Sequence, residues 1–439
     1  MEGKLAIAGL FRRARHSSLL RRMVVAVTGT AGAQLITLAF APFVTRIYGP
    51  EAFGLHGIFM AFVGVLTPVA AFAYPTAIVL AKDEQDAGVL AALSFSIAAA
   101  VSFSSFLIVA VGGKSLAATL ELDSVAWVLF LVPLALLFAS AVQVAQQYSV
   151  RQKRFDVIAS AAVASSLLLN LGKVGLGLLY PIASVLIALG VFNQVLLTVF
   201  LFYGVSRGGR NDASLRSAFS RAAMRRLAVR HRDFPLYRAP QNVVNGVSQN
   251  LPLLMLAMLF GPAAAGFYAL GRTVMGLPSA LVGVAVGDVF YQRFTETSHA
   301  GKGVAGQIVQ ATVALAAVGF LPFGLVVLAG PELFQAIFGE SWATSGRYAR
   351  WLAVFFFFNF VNKPAVAAVP VLGIQRGLLV YELLSTAGKI LGLFIGFYWF
   401  SSALWAIRLF ATIGSLAYVA MILWIVFCAV YRSGDAKAG

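Results

Sequence analysis

The sequence predicts an all-α polytopic membrane protein: about twelve transmembrane helices in two six-helix lobes related by a parallel repeat. Three observations predict this class. The 439 residues are 60% hydrophobic and only 11% charged, where a soluble domain carries roughly 25% charged residues. Apolar segments of spanning length recur along the whole chain. Two stretches also repeat each other 212 residues apart: Tyr48-Gly49-Pro50 with Gly54 matches Phe260-Gly261-Pro262 with Gly266, and in the same register Gly64 meets Gly276 and Ala73 meets Ala285. An offset near half the chain length marks an internal duplication, which is typical of transporters.

Twelve segments reach the ~20 apolar residues that a span needs: 23–45, 53–80, 87–111, 125–146, 157–178, 181–204, 241–260, 263–289, 304–329, 351–372, 377–400 and 402–430. The longest break, 205–240, is polar and arginine-rich and divides the spans six to six. The expected organisation is a basic N-terminal segment (1–22), an N-lobe (23–204), a basic loop (205–240), a C-lobe (241–430) and a tail (431–439).

Lysine and arginine placement sets the orientation. With the N-terminus inside, segments on the cytoplasmic side hold 24 of the 33 basic residues, outer loops hold four, and five lie within spans. Both termini are therefore expected in the cytoplasm, with the central loop on anionic lipid headgroups. Six spans per half is an even number, so the halves enter from the same side and are related by an axis along the membrane normal.

Composition excludes several classes. The net charge of +17 sits in loops between apolar segments, which argues against a nucleic-acid partner. The single cysteine, Cys428, excludes a disulfide framework and a cysteine metal site. The run from Met23 to Val44 is too long for a signal-peptide core of ~7–15 residues, and Arg12-Arg13 and Arg21-Arg22 read as a basic interfacial segment. The four histidines lack ligand spacing, so no metal is expected. There is no phosphate loop, and Gly172-x-x-Gly175-x-Gly177 lies in an apolar span. The chain does not read as an enzyme.

The five intramembrane cations are Lys173, Arg272, Lys363, Lys389 and Arg408. At ~1.5 Å per residue, Arg272 lies ~14 Å and Lys389 ~18 Å from the start of its span. Five such charges facing lipid would cost on the order of 15 kcal/mol. Only two acids, Asp288 and Glu382, lie in the spans, so the surplus is expected to face a water-filled cavity or an anion. Lys173 and Arg408 have the alternative of snorkelling to the outer interface. Glu382 and Lys389 are seven residues apart on one helix face, either a structural pair or a coupling pair that opens on protonation. Asp288 reads equally as a gate charge and as a helix-end charge. Prolines 68, 75, 252, 278, 322, 364 and 370 fall in spans as potential kinks. Gly283-x-x-x-Gly287 and Gly392-x-x-x-Gly396 permit close helix packing, and Phe355–Phe358 reads as lipid-facing or core.

The segments RIYGPEAFGLHGIF (46–59), AIVLAKDEQDA (77–87), FPLYRAPQNVVNGVSQNLPLLMLAMLFGPAAAGFYALGRTVMGLP (234–278), VFYQRF (289–294), LFQAIFGESWATSGRYAR (333–350) and VLGIQR (371–376) resemble, in order and spacing, the Wzx-type oligosaccharide flippases. These form the polysaccharide-transporter branch of the multidrug/oligosaccharidyl-lipid/polysaccharide (MOP) exporter superfamily. One departure is Pro75-Thr76, where many relatives carry an acid.

The resemblance implies a V-shaped, MATE-like pair of lobes in the bacterial inner membrane. It implies transfer of an undecaprenyl-diphosphate-linked oligosaccharide from the cytoplasmic to the periplasmic leaflet, for O-antigen, capsule or exopolysaccharide. It also implies cavity arginines on the diphosphate, with Arg272 the best match, and a polysaccharide polymerase and export machinery as partners. The cavity cations Arg272, Lys389, Lys363, Lys173 and Arg408 would hold the substrate. Glu382 and Asp288 would serve coupling or gating, with no cofactor beyond a coupled proton or sodium ion. The alternative is an ion-coupled multidrug antiporter of the same superfamily, but the intramembrane carboxylate such proteins need is missing from the first span.

Overall fold

The computed structural model describes residues 18–119, 123–206, 220–299 and 303–438. All the regular structure among them is helical. The helices are α1 (Ser18–Ile47), α2 (Pro50–Ala70), α3 (Glu84–Thr119), α4 (Val132–Arg151), α5 (Phe155–Leu179), α6 (Ala183–Ser206), α7 (Arg221–Arg230), α8 (Ala239–Phe260), α9 (Pro262–His299), α10 (Ala305–Phe338), α11 (Ala343–Val361), α12 (Lys363–Leu372), α13 (Gln375–Tyr398) and α14 (Ala403–Ala438). Ten candidate spans among the described residues are long and apolar enough to cross a membrane. The two remaining predicted spans, 23–45 and 263–289, fall on α1 and α9. Large apolar side chains such as Leu178, Phe320, Leu321 and Leu328 are exposed, as expected where lipid replaces water. The chain is a multi-pass membrane protein. Arg12-Arg13 and the loop residues 207–219 lie outside the described residues.

The repeated Gly-Pro motifs are tight turns that open helices. Pro50 and Pro262 are the first residues of α2 and α9, where a missing N–H costs nothing and the fixed φ suits a helix. Gly261 takes a φ of 84°, which a side chain would resist.

Two predicted spans are broken, each at a proline. The 53–80 segment stays helical only to Ala70. Phe72 and Ala73 have positive φ (46° and 59°), and a 3-10 turn, Tyr74–Leu80, follows with Pro75 in its first turn. The 351–372 segment divides at Asn362, with Pro364 in the first turn of α12. In both, the proline sits in the first turn of the new helix, where its missing N–H costs nothing, whereas inside a continuous helix it would remove a hydrogen bond. Helix α10 kinks at Ala329, two residues before Pro331.

The chain divides into two compact units: Met1–Tyr48 with Leu55–Leu254, and Gly49–Gly54 with Met255–Gly439. In the first unit, Val142 and Ala145 of α4, Val157 and Ala161 of α5, and Leu201 of α6 form one apolar cluster. A second gathers Tyr74, Ile78, Leu90, Val144, Tyr148, Val205 and Leu227.

Leu227 belongs to α7, inside the predicted basic loop. This part of the loop is docked on the protein, with several of its arginines still exposed. Leu227 is fully buried, and the Tyr74 hydroxyl donates to the Ala228 carbonyl at 3.2 Å. Asp86 pairs with Arg226 at 3.3 Å and Arg230 at 3.9 Å. Beside it, Arg151 pairs with Glu84 at 2.8 Å and donates to the carbonyls of Ile78 and Ala81. The acidic loop 82–86 thus anchors local structure.

In the second unit, Phe294, Ile308, Ala365, Val369, Met421 and Ile425 share a core. Gly392 and Gly396 of α13 press on the backbone of Leu409, Phe410 and Ala406 in α14, the close helix approach that small residues allow. The side chains of 281–289 lie outside the description, and with them Gly283, Gly287 and Asp288.

Candidate functional site: an amide-lined cavity and a lysine cluster

Helix α8 is polar in its first half and apolar in its second. Asn242, Asn245, Gly246 and Gln249 recur at the i, i+3, i+4, i+7 spacing of one helical face. That face lines a cavity of about 380 Å³ inside the first unit. Asn250 also reaches it from α8, Gln143 from α4, and Gly64 and Pro68 from α2. Where α2 passes α8, a Cβ at Gly246 would lie 3.4 Å from the Gly64 carbonyl oxygen.

Part of the amide chemistry is used within the protein. Gln249 Nε2 donates to Asn245 Oδ1 at 3.0 Å, and Asn250 Nδ2 donates to the Gly246 carbonyl at 2.9 Å. The side-chain amides of Gln143 and Asn242, both half-buried, make no hydrogen bond to the protein among the described residues. None of the lining residues is charged. Five amides around one cavity on spanning helices are costly in an apolar environment unless something hydrogen-bonds them.

The second unit holds a different cluster, on α11, α13 and α14. The Lys389 ammonium lies 6.0 Å from the centre of the Phe355 ring, and its stem packs on Gly414. Phe355 is buried against Tyr418, ring centres 5.4 Å apart. Asn359 Nδ2 donates to the Tyr418 hydroxyl at 2.6 Å, and Asn362 Nδ2 to Met421 Sδ at 3.5 Å. Asn362 Oδ1 is buried without a partner among the described residues, beside Lys363 at the break between α11 and α12. Glu382 is exposed and within electrostatic reach of Lys389, but the two form no ion pair.

The remaining predicted cations are placed differently. Lys173 is half-buried in the first unit; its carbonyl accepts from Tyr48 at 3.1 Å, and His56 is within electrostatic reach. Arg272 is half-buried one turn from the buried Tyr268. Arg408 is exposed and stacks on two indoles, 4.5 Å from Trp351 and 4.4 Å from Trp405. Phe355 is core, while Asp288 carries no described side chain. The amides on α4 and α8 are not among the expected site residues, because they carry no charge to mark them in an apolar span. The signal that would have found them is amide spacing along residues 242–249.

The family model described as "Polysaccharide biosynthesis protein" matches residues 43–347. The chain belongs to that family. No curated protein matches it. Among solved structures, the chain is similar to the lipid II flippase MurJ in an inward closed conformation. That match has a TM-score of 0.70 at 11% identity and covers 94% of this chain and 91% of that one. It is also similar to an inward-facing multidrug resistance MATE family transporter of the MOP superfamily, with a TM-score of 0.66 at 14% identity over 96% and 99% of the two chains. A MOP superfamily transporter from Pyrococcus furiosus gives 0.59 at 16% identity over 95% and 96%. At these identities the likeness establishes the fold, which the family member shares along nearly its whole length.

Proposed function

We propose that this protein is a flippase that carries undecaprenyl-diphosphate-linked oligosaccharide units from the cytoplasmic to the periplasmic leaflet of the bacterial inner membrane by alternating access. The supporting observation is the polysaccharide biosynthesis match on a chain built of spanning helices. An oligosaccharide assembled on a lipid carrier must pass its hydroxyls and phosphates through a layer that cannot hydrogen-bond them. A membrane-spanning member of such a family is suited to supply that passage. In this reading both termini are cytoplasmic, and a polymerase and export machinery take the product onward to O-antigen, capsule or exopolysaccharide.

Arg272 and Lys389 are assigned to the diphosphate, with Lys363 beside the α11–α12 break in support, because cation–phosphate hydrogen bonds are strong. Glu382, within electrostatic reach of Lys389, is the group through which a proton or sodium ion would couple. The same carboxylate is what favours the second reading, an ion-coupled small-molecule antiporter.

The test is reconstitution of the full chain in vesicles carrying an undecaprenyl-diphosphate-linked oligosaccharide, with sugar exposure read by an added glycosidase. Protein-dependent exposure is expected. Cation-driven efflux of a small dye without sugar transfer would replace this reading with the antiporter.

A further inference from the structure

We propose that the cavity among α2, α4 and α8 is a saccharide subsite that takes one uncharged, hydroxyl-rich sugar ring. The inference rests on the flippase reading above and assigns the sugar moiety to residues distinct from those assigned to the diphosphate.

The chemistry of the lining selects the ligand. A primary amide offers two donors and one carbonyl acceptor in a plane. Neighbouring hydroxyls on a sugar ring each donate and accept, so an amide can bridge two of them. Five amides converge here, and Gln143 and Asn242 have no hydrogen-bond partner among the described residues. The hydrogen bond from Gln249 to Asn245 is at 3.0 Å and uses an Asn245 acceptor. It orients the pair and leaves the Asn245 Nδ2 donors for a ligand. Gly64 and Gly246 let α2 and α8 approach closely, and Pro68 supplies an apolar edge against which a ring face can lie.

Size and charge narrow the choice. About 380 Å³ is near the lower end of ligand pockets, which run about 300–1,000 Å³, and suits one ring of a longer unit. No lining residue is charged, so a carboxylate in the cavity would meet no cation to pair it. The subsite therefore favours a neutral hexose or N-acetylhexosamine over a uronic acid.

The experiment is saturation-transfer NMR on the purified full chain in detergent. The probes are methyl glucoside, methyl galactoside, methyl N-acetylglucosaminide and methyl glucuronide. Transfer to at least one neutral glycoside and none to the glucuronide is expected. Asn245→Ala and Gln249→Ala should each weaken that binding by about tenfold, as loss of a ligand hydrogen bond does. Asn245→Gln should restore part of it. Ser248→Ala, on the same helix but outside the lining, should change nothing.

Thermal unfolding of each variant separates a lost contact from a lost fold. Absence of transfer to all neutral probes, or transfer unchanged in Asn245→Ala and Gln249→Ala, overturns the subsite. The vesicle assay distinguishes this failure from that of the wider reading. Wild-type transfer of lipid-linked sugar with unaltered rates in both alanine variants refutes the subsite alone. Failure of the wild type to transfer it refutes the flippase, while glycoside binding is still decided by NMR.

Discussion

Gly54 and Gly266 pack reciprocally: a Cβ on Gly54 would strike the carbonyl of Pro262, and a Cβ on Gly266 would strike the carbonyl of Pro50. Each glycine of the duplicated motif sits on the proline that opens the other copy's helix. Both lie in the second unit, to which Gly49–Gly54 belongs. The repeat is thus a pair of interlocking surfaces as well as two turns.

Gly54→Ala and Gly266→Ala should each lower stability by about 1–3 kcal/mol, because the obstacle is backbone that cannot rotate away. Gly49→Ala should be tolerated, since its Cβ meets nothing within 4 Å. Thermal unfolding in detergent measures all three. Equal effects at Gly49 and Gly54 would refute the reciprocal packing.

Docking of α7 should depend more on Leu227 than on its ion pairs. The arginines facing Asp86 are well exposed, and such pairs contribute about 0–1 kcal/mol. Burial of Leu227 is complete, and truncation of a buried leucine costs about 2–5 kcal/mol. Leu227→Ala should therefore deprotect residues 221–230 in hydrogen exchange more than Asp86→Asn does. The docking also has a pH dependence. Burial and the Arg230 guanidinium hold the His231 imidazole below its ordinary value of about 6.5, while Asp86 opposes them. The docked state thus binds the proton more weakly than a free histidine, so protonation favours release. Docking should persist above about pH 6.5 and loosen as pH falls below it. His231→Gln should remove this component, and exchange at two pH values, corrected for intrinsic rates, would show it.

The 2.6 Å hydrogen bond between Asn359 and Tyr418 predicts a non-additive pair. Tyr418→Phe leaves the Asn359 amide without its partner and should cost about 1–3 kcal/mol. Adding Asn359→Leu removes the orphaned donor and should recover part of that loss. A double-mutant cycle of thermal unfolding tests this; additive losses would show that the bond contributes little.

Arg272→Ala and Lys389→Ala should reduce surface polysaccharide strongly while leaving membrane insertion intact. Lys389→Arg should retain more export than Lys389→Ala if the ammonium meets phosphate, since both cations bind it. Polymer measured on whole cells beside protein in isolated membranes separates transport from folding. Normal polymer in both alanine variants would remove these residues from the substrate path.

The spans were legible in the sequence because crossing a bilayer imposes a length and a composition on contiguous residues. The Gly-Pro turns were legible as a repeat, and the helix contacts of Gly392 and Gly396 followed from their spacing. The proline positions marked where the spans could bend, but only the backbone showed that Pro75 and Pro364 accompany breaks while Pro68 is carried inside a helix. The role of each polar residue was not legible. Arg408 and Lys389 look alike as buried cations in the sequence, yet one stacks on two indoles and the other lies over Phe355 near Glu382. Gln143 and Asn242 lie almost a hundred positions apart and share a cavity. By itself the sequence determined which segments enter the membrane, since hydrophobicity and helical period are local properties. Which side chains meet within each unit was decided only by tertiary packing, because helix rotation and kinks bring distant residues together.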